Sequence, residues 1–321
     1  MRAGRDCPLD YRLAANAFAG EPLFACDALY VAGGLYGNRQ ALVALQQCLA
    51  AEPGARLVLN GDAHWLDRDP AIFAQIEQGL RPHLALRGNV ETELGRPTES
   101  GAGCGCAYPA NVADAVVQRS NAIQHALQRT VQSLPGMPER LAARPSTALV
   151  SVAGQRVAIS HGDEQSLAGW ACSREALAEP QRQQQLDAWL GNGNIRVLAS
   201  SHTCSAVALN LSHGALINNG AAGLPNFADG RYGLFTRIAN TAHPAALYRC
   251  QRDELFIEAL PLYYAHADFL ADFDRQWPTA SPAAQSYRSR ILGTLTDAPQ
   301  HALLAGFNLC QALCALEART Q

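Results

Sequence analysis

Short apolar runs that stop abruptly at glycine and a polar residue recur along this chain, and no other feature constrains its fold as tightly. Residues 57–59 run into Asn60-Gly61-Asp62, residues 84–86 into Arg87-Gly88-Asn89, and residues 156–160 into His161-Gly162-Asp163. Each reads as a short buried strand that presents a polar side chain at its C-terminal end. Other strand ends carry Gly34 and Tyr36, Ser201-His202-Thr203-Cys204, and Asn218-Asn219-Gly220. Ligand sites in open α/β sheets lie outside such ends. One Gly-Asp corner is common in plain turns, so the weight rests on the series.

Helices are predicted between these strands, over residues 38–49, 70–79, 112–133 and 180–190, which gives an α/β pattern. Further strands read at 28–32, 148–152, 197–200, 215–217, 232–238, 245–250 and 254–260. The glycine-rich loop 33–37 precedes the first helix, where backbone amides can approach an anion and Arg39 adds a positive charge. No Gly-Lys-Ser/Thr follows, so it is not a complete Walker loop. Residues 95–111, rich in Gly, Pro and Cys, form a surface loop long enough to be functional. Residues 1–25 read as an arm broken by Pro8, Gly20 and Pro22, residues 26–264 as the main domain, and residues 265–321 as a helical extension. In that extension Leu303, Leu304, Phe307, Cys310 and Leu313 have the spacing of one amphipathic helix face.

With 321 residues, 48% of them apolar and 17% charged, the chain is an ordinary globular one. A net charge of −3 leaves no electrostatic footprint for nucleic acid or an anionic membrane. No apolar run reaches the length of a membrane span, and the N-terminal residues lack the apolar core of a secretory signal. A cytoplasmic location is the expectation. Ten cysteines are then thiols rather than disulfides. Most stand alone and read as small core residues, but Cys104-Gly105-Cys106 and Cys204 stand out.

Asp62, Asn89, His161 and His202, converging on one edge, make a mixed oxygen and nitrogen set that suits Mn²⁺, Fe²⁺ or Zn²⁺ better than Mg²⁺ or Ca²⁺. In order and spacing, Asn60-Gly61-Asp62, Gly88-Asn89-Val90-Glu91, His161-Gly162, Ser201-His202-Thr203 and Asn218-Asn219-Gly220 resemble the motif blocks of the calcineurin-like metallophosphoesterases, across roughly residues 29–260. The resemblance implies two stacked mixed β-sheets flanked by helices. It also implies metals at the strand ends, and hydrolysis of a small phosphomonoester or phosphodiester by a metal-activated water.

Two departures stand beside it. The family's opening Asp-x-His falls on Gly34 and Tyr36, and the second histidine of its last block falls on Cys204. The resemblance therefore implies one intact metal site at Asp62, Asn89, His161 and His202, and a second stripped of ligands. One ion is expected, or two if Cys104, Cys106 and Cys204 rebuild a thiolate site. Arg39, Arg87 and the amides near Gly37 are candidates to offset the missing charge, with surface solvation as the plainer role. His64 and Asp163 are candidates as proton donors or as groups that orient a ligand. The alternative is a non-catalytic relative that binds a phosphorylated ligand, a metal or a protein. Substrate identity and oligomeric state are not legible.

Overall fold

The computed structural model describes residues 1–97, 100–228 and 230–310. Its strands, in chain order, are β1 (Ala25–Cys26), β2 (Ala28–Ala32), β3 (Ala55–Asn60), β4 (Leu84–Leu86), β5 (Thr147–Val152), β6 (Gln155–Ser160), β7 (Val197–Ser200), β8 (Ala206–Asn210), β9 (Ala215–Asn219), β10 (Gly233–Ala239), β11 (Tyr248–Arg252), β12 (Leu255–Leu262), β13 (Leu303–Ala305) and β14 (Asn308–Leu309). The helices are α1 (Arg39–Ala51), α2 (Pro70–Leu80), α3 (Asn89–Leu94), α4 (Asp114–Gln132), α5 (Met137–Ala142), α6 (Arg174–Ala178), α7 (Pro180–Gly193), α8 (His266–Gln276) and α9 (Pro282–Ile291). None of the described helices is long and apolar enough to cross a membrane.

Two mixed sheets result, ordered β1-β5-β6-β7-β9-β8-β13 and β14-β11-β12-β10-β2-β3-β4. The side-chain period of two explains how they stack. Leu29 and Val31 of β2 meet Val150, Val157, Ile159 and Ile217 of the other sheet in the shared core. The alternate residues Tyr30 and Ala32 face outward, onto Leu42, Leu45, Ile72 and Ile76 of α1 and α2. Buried on both faces and parallel to β3, β2 has to be apolar throughout, as its sequence ALYVA is. Both covering helices start with a side-chain cap: Asn38 accepts from Ala41 N, and Asp69 from Ala71 N with Pro70 behind it.

A polar seam ties the sheets together at their C-terminal ends. Asn60 Nδ2 donates to the Ser160 carbonyl (2.8 Å) and to Ser201 Oγ (3.0 Å). Ser201 Oγ donates to Asn219 Oδ1 (2.8 Å), and Asn219 Nδ2 reaches the carbonyls of Gly33 and Leu234. The loops beyond the seam are fastened by one carboxylate. Glu91, fully buried in the first turn of α3, accepts the backbone N–H groups of Asp62 (2.9 Å), Ala63 (2.8 Å) and Gly88 (2.8 Å). A second buried cluster pins the loop after β3 to α2. His64 Nδ1 meets Asp67 (2.8 Å), its Nε2 meets Glu77 (2.7 Å), its ring stacks on Phe73, and Arg144 pairs with Glu77.

The segment after residue 302 corrects the helical expectation. Leu303–Ala305 pairs parallel with β8 and Asn308–Leu309 antiparallel with β11, with Gly306 turning at φ +70° between them. The apolar spacing that suggested a helix belongs to two very short strands, and unpaired sheet edges decided their conformation. Leu313 lies outside the described residues. The N-terminal arm is packed onto the domain: Tyr11 is buried and donates to Glu93 (2.7 Å), and Leu23 N donates to the Leu149 carbonyl (2.8 Å).

Two stability measurements follow. Glu91→Ala strands three buried donors and should lower the unfolding free energy by about 3 kcal/mol or more. Urea denaturation would measure it, and a loss under about 1 kcal/mol would show that water replaces the carboxylate. Burial alone would lower the His64 pKa, but Asp67 and Glu77 raise it to about 9. A raised value contributes stability that is fully present below the unfolded pKa of about 6.5 and is lost as pH rises through about 9. The urea midpoint should therefore fall across that interval, and His64→Gln should remove that part of the fall; an unchanged profile would contradict the ion-pair assignment.

Candidate metal centre

Four side chains from four strand ends converge. Asp62 follows β3, Asn89 opens α3 after β4, His161 follows β6 and His202 follows β7. His161 Nε2 lies 3.4 Å from Asp62 Oδ1, 3.2 Å from Asn89 Oδ1 and 3.2 Å from His202 Nδ1. Ligating atoms of Asp62, His161 and His202 all lie within 4.8 Å of one another, and all three residues are buried. Gly61 and Gly88 make this approach possible. A Cβ on Gly88 would sit 2.4 Å from Asp62 Oδ1 and 2.9 Å from His161 Nε2.

The outward nitrogen of each histidine is already engaged. His161 Nδ1 faces the Asn60 carbonyl (2.8 Å) and His202 Nε2 the Cys106 carbonyl (3.1 Å). Each N–H donated to a carbonyl fixes the tautomer and turns the opposite nitrogen toward Asp62. Asn89 Nδ2 donates to the Cys104 carbonyl (2.9 Å), which aims Oδ1 inward. These residues fit a divalent transition ion: two imidazole nitrogens, one carboxylate and one amide oxygen, each oriented from behind.

The electrostatics match that fit. Burial disfavours the Asp62 carboxylate, yet His161 and His202 hold its pKa below the usual range. Burial likewise opposes charge on His161, but Asp62 raises its pKa. His202, buried and next to His161, falls to about 3 and stays neutral. Without an ion, Asp62 favours the protonated form of His161 beside a neutral His202.

Other expected residues are placed elsewhere. Arg39 forms a two-pronged ion pair with Asp272 of α8 (2.7 and 3.1 Å), and Arg87 reaches the Ala142 carbonyl (3.4 Å). The amides of Gly34, Tyr36 and Gly37 donate to the carbonyls of Gly61, Asp62 and Ala63, so they zip two loops together rather than cradle an anion. His64 is held away from the cavity in the cluster already described. Asp163 caps its own loop, accepting from the amides of Gln165 (2.9 Å), Ser166 (2.8 Å) and Ala171 (3.2 Å). The cysteine loop does lie on the site, through the Cys104 and Cys106 carbonyls. No cysteine joins the group of possible ligands among the described residues. Burial, with Cys104 next, keeps the Cys106 thiol well above its ordinary pKa, and burial pushes Cys204 up to about 11.

A cavity of about 120 Å³ opens on the centre. Its walls are largely aromatic, and sequence reasoning missed them: Trp65, Tyr108, Trp170 and Tyr287, with Tyr36. Trp170 donates to the Cys106 carbonyl (2.9 Å) and packs edge-on against His202. Arg290 of α9 supplies a guanidinium, anchored to the carbonyls of Pro225 (2.8 Å) and Cys204 (3.1 Å). Strain also concentrates here. Of seven non-glycine residues with positive φ among the described residues, Tyr36, Asp62 and Cys204 line the cavity and Ala107 follows Cys106. Such residues cost roughly 1–3 kcal/mol each and gather where function requires them.

No protein-family model matches this chain, and no curated protein matches it in sequence. Solved structures do. A hypothetical protein from Pyrococcus horikoshii OT3 superposes with a TM-score of 0.55 at 12% identity, covering 80% of this chain and 97% of its own. A metallophosphoesterase from Sphaerobacter thermophilus does so with a TM-score of 0.53 at 14% identity, covering 84% and 100%. At such identities the likeness is one of fold, and it agrees with the two stacked seven-stranded sheets and their polar strand ends. The chain has the calcineurin-like metallophosphoesterase fold.

Proposed function

We propose that this protein is a metal-dependent phosphoesterase acting on a small phosphomonoester or phosphodiester, with one Mn, Fe or Zn ion held by Asp62, Asn89, His161 and His202. The observation that carries the proposal is the orientation of the two histidines, whose outer N–H groups are spent on backbone carbonyls while their inner nitrogens face Asp62. An ion there supplies Lewis acidity toward water and a phosphoryl oxygen. The chain's own residues do the rest. Arg290 faces the cavity with the charge needed to draw in an anionic group. The aromatic walls exclude water and strengthen every electrostatic contact inside. A cavity of about 120 Å³ is well below the roughly 300–1,000 Å³ of drug-sized sites, so it takes the phosphoryl group and leaves the rest of the ester at the rim.

A second reading is a non-catalytic relative that binds a phosphorylated ligand, a metal or a protein partner. One observation favours it: the Tyr36 ring fills the space a side chain at Gly34 would need, with its carbons 3.1 Å from that Cβ position. The same experiments separate the two.

Purified protein should hold about one ion per chain by plasma mass spectrometry, and it should hydrolyse p-nitrophenyl phosphate or its bis-ester with Mn²⁺. Asp62→Ala and His161→Ala should each lose the ion and lower kcat/KM by more than about 100-fold. Folded variants with unchanged turnover would end the enzyme reading, and an ion bound without turnover would favour the second. The protonation states give a sharper check. Asp62 favours a proton on His161 that an ion would displace, whereas His202, with a pKa of about 3, has none to lose near neutral pH. Titration calorimetry in buffers of different ionisation enthalpy should thus report net proton release on ion binding that shrinks as pH rises; a heat independent of buffer at every pH would contradict this ligand assignment.

A further inference from the structure

Tyr36 combines features that a wall residue does not need. It is a non-glycine residue at φ +55°, it is 2% exposed, and its N–H donates to the Asp62 carbonyl (3.1 Å). Its ring lies over Gly34, where no Cβ obstructs it. Tyr36 lines the same cavity as Asp62, His202 and Arg290, and so does Cys204, the residue its hydroxyl meets. The one hydrogen-bond partner of that hydroxyl among the described residues is Cys204 Sγ. Cys204 donates its own S–H to the His202 carbonyl (3.2 Å), so the sulfur is the acceptor and Tyr36 the donor. Thiol sulfur is a weak acceptor. A strained, buried phenol therefore rests on a partner that any anionic oxygen in the cavity would outcompete.

Arg290 is arranged in a complementary way. Its Nε and Nη2 are anchored to Pro225, Cys204 and Asn226, which leaves Nη1 without a hydrogen-bond partner among the described residues. We propose that the Tyr36 hydroxyl, together with Arg290, is the donor pair that grips a non-bridging oxygen of a phosphoryl group at this centre, which makes Tyr36 a catalytic residue. On binding, the O–H of Tyr36 leaves Cys204 Sγ for the phosphoryl oxygen, and no covalent bond changes. The developing negative charge in the transition state strengthens that hydrogen bond, so its effect falls on kcat more than on KM. The inference rests on the phosphoesterase reading for turnover but not for binding.

The test uses Tyr36→Phe, which keeps the ring in place and removes only the hydroxyl. Inorganic phosphate is titrated calorimetrically into Mn²⁺-loaded protein, and p-nitrophenyl phosphate hydrolysis is followed in parallel. Metal content and thermal midpoint should match the parent. Phosphate affinity should fall about 10-fold or more, as expected for a lost hydrogen bond to a charged group. Where the parent turns over substrate, kcat should fall about 100-fold with KM little changed. Weaker phosphate binding in Tyr36→Phe with an inactive parent would support the donor role while ending the hydrolase reading. Equal phosphate affinity in parent and variant, or no phosphate binding by the loaded parent, would overturn the inference.

Discussion

Three backbone N–H groups meet on one buried carboxylate at Glu91, and the geometry of the centre depends on that meeting. Asp62 and Asn89 leave parallel neighbouring strands, β3 and β4, whose ends have no inherent reason to hold their side chains a few ångströms apart. Glu91 collects the amides of Asp62, Ala63 and Gly88 and so fixes both loops against each other. Hydrogen bonds to a charged acceptor are roughly twice as strong as neutral ones, and here no water competes for them. Asp62 can then stay at an unfavourable φ of +55° because its amide is held from behind. The strain is stored locally and balanced by the packing beneath it.

Behind that fastening lies a division of labour. The sheet interiors are apolar and close-packed, whereas the seam of Asn60, Ser201 and Asn219 is polar and hydrogen-bonded from sheet to sheet. An apolar seam would let the sheets slide, while hydrogen bonds of fixed direction admit one register. The strand ends that carry His161 and His202 therefore arrive opposite those that carry Asp62 and Asn89. The ligands are rigid because the layer under them is specific.

Much of this was legible in the chain. The apolar runs ending in glycine or a polar residue located β2, β3, β4, β6 and β7, because parallel strands buried on both faces must be apolar throughout. The convergence of Asp62, Asn89, His161 and His202 was legible because each stands within three residues after such a run. The aromatic walls were not. Trp170, Tyr108 and Tyr287 come from loops and from α9, far along the chain, and an isolated aromatic residue reads the same in a core as in a cavity. Arg290 was hidden for the same reason, and Glu91, though read as part of the Gly88-Asn89-Val90-Glu91 block, gave no sign that it would collect three amides. Arg39, His64 and Asp163 show the opposite limit. Nearness in sequence to the strand ends placed them beside the site, but Asp272, Glu77 and the loop amides after Asp163 claimed their side chains. Residues 303–309 misread as a helix because two short strands and one helical turn present the same apolar spacing.

Those two last strands also bear on how the chain acquires its shape during synthesis. One lies against β8 at the edge of the first sheet and the other against β11 at the edge of the second. Until residues 303–309 emerge from the ribosome, both edges expose unpaired N–H and C=O groups, which invite pairing with neighbouring chains. The nascent protein thus passes through a stage in which the candidate metal residues have all emerged but β8 and β11 are still uncovered. Residues 303–309 then cover β8 and β11 together, and two very short strands take over as the sheet margins, where little backbone is left to recruit a copy.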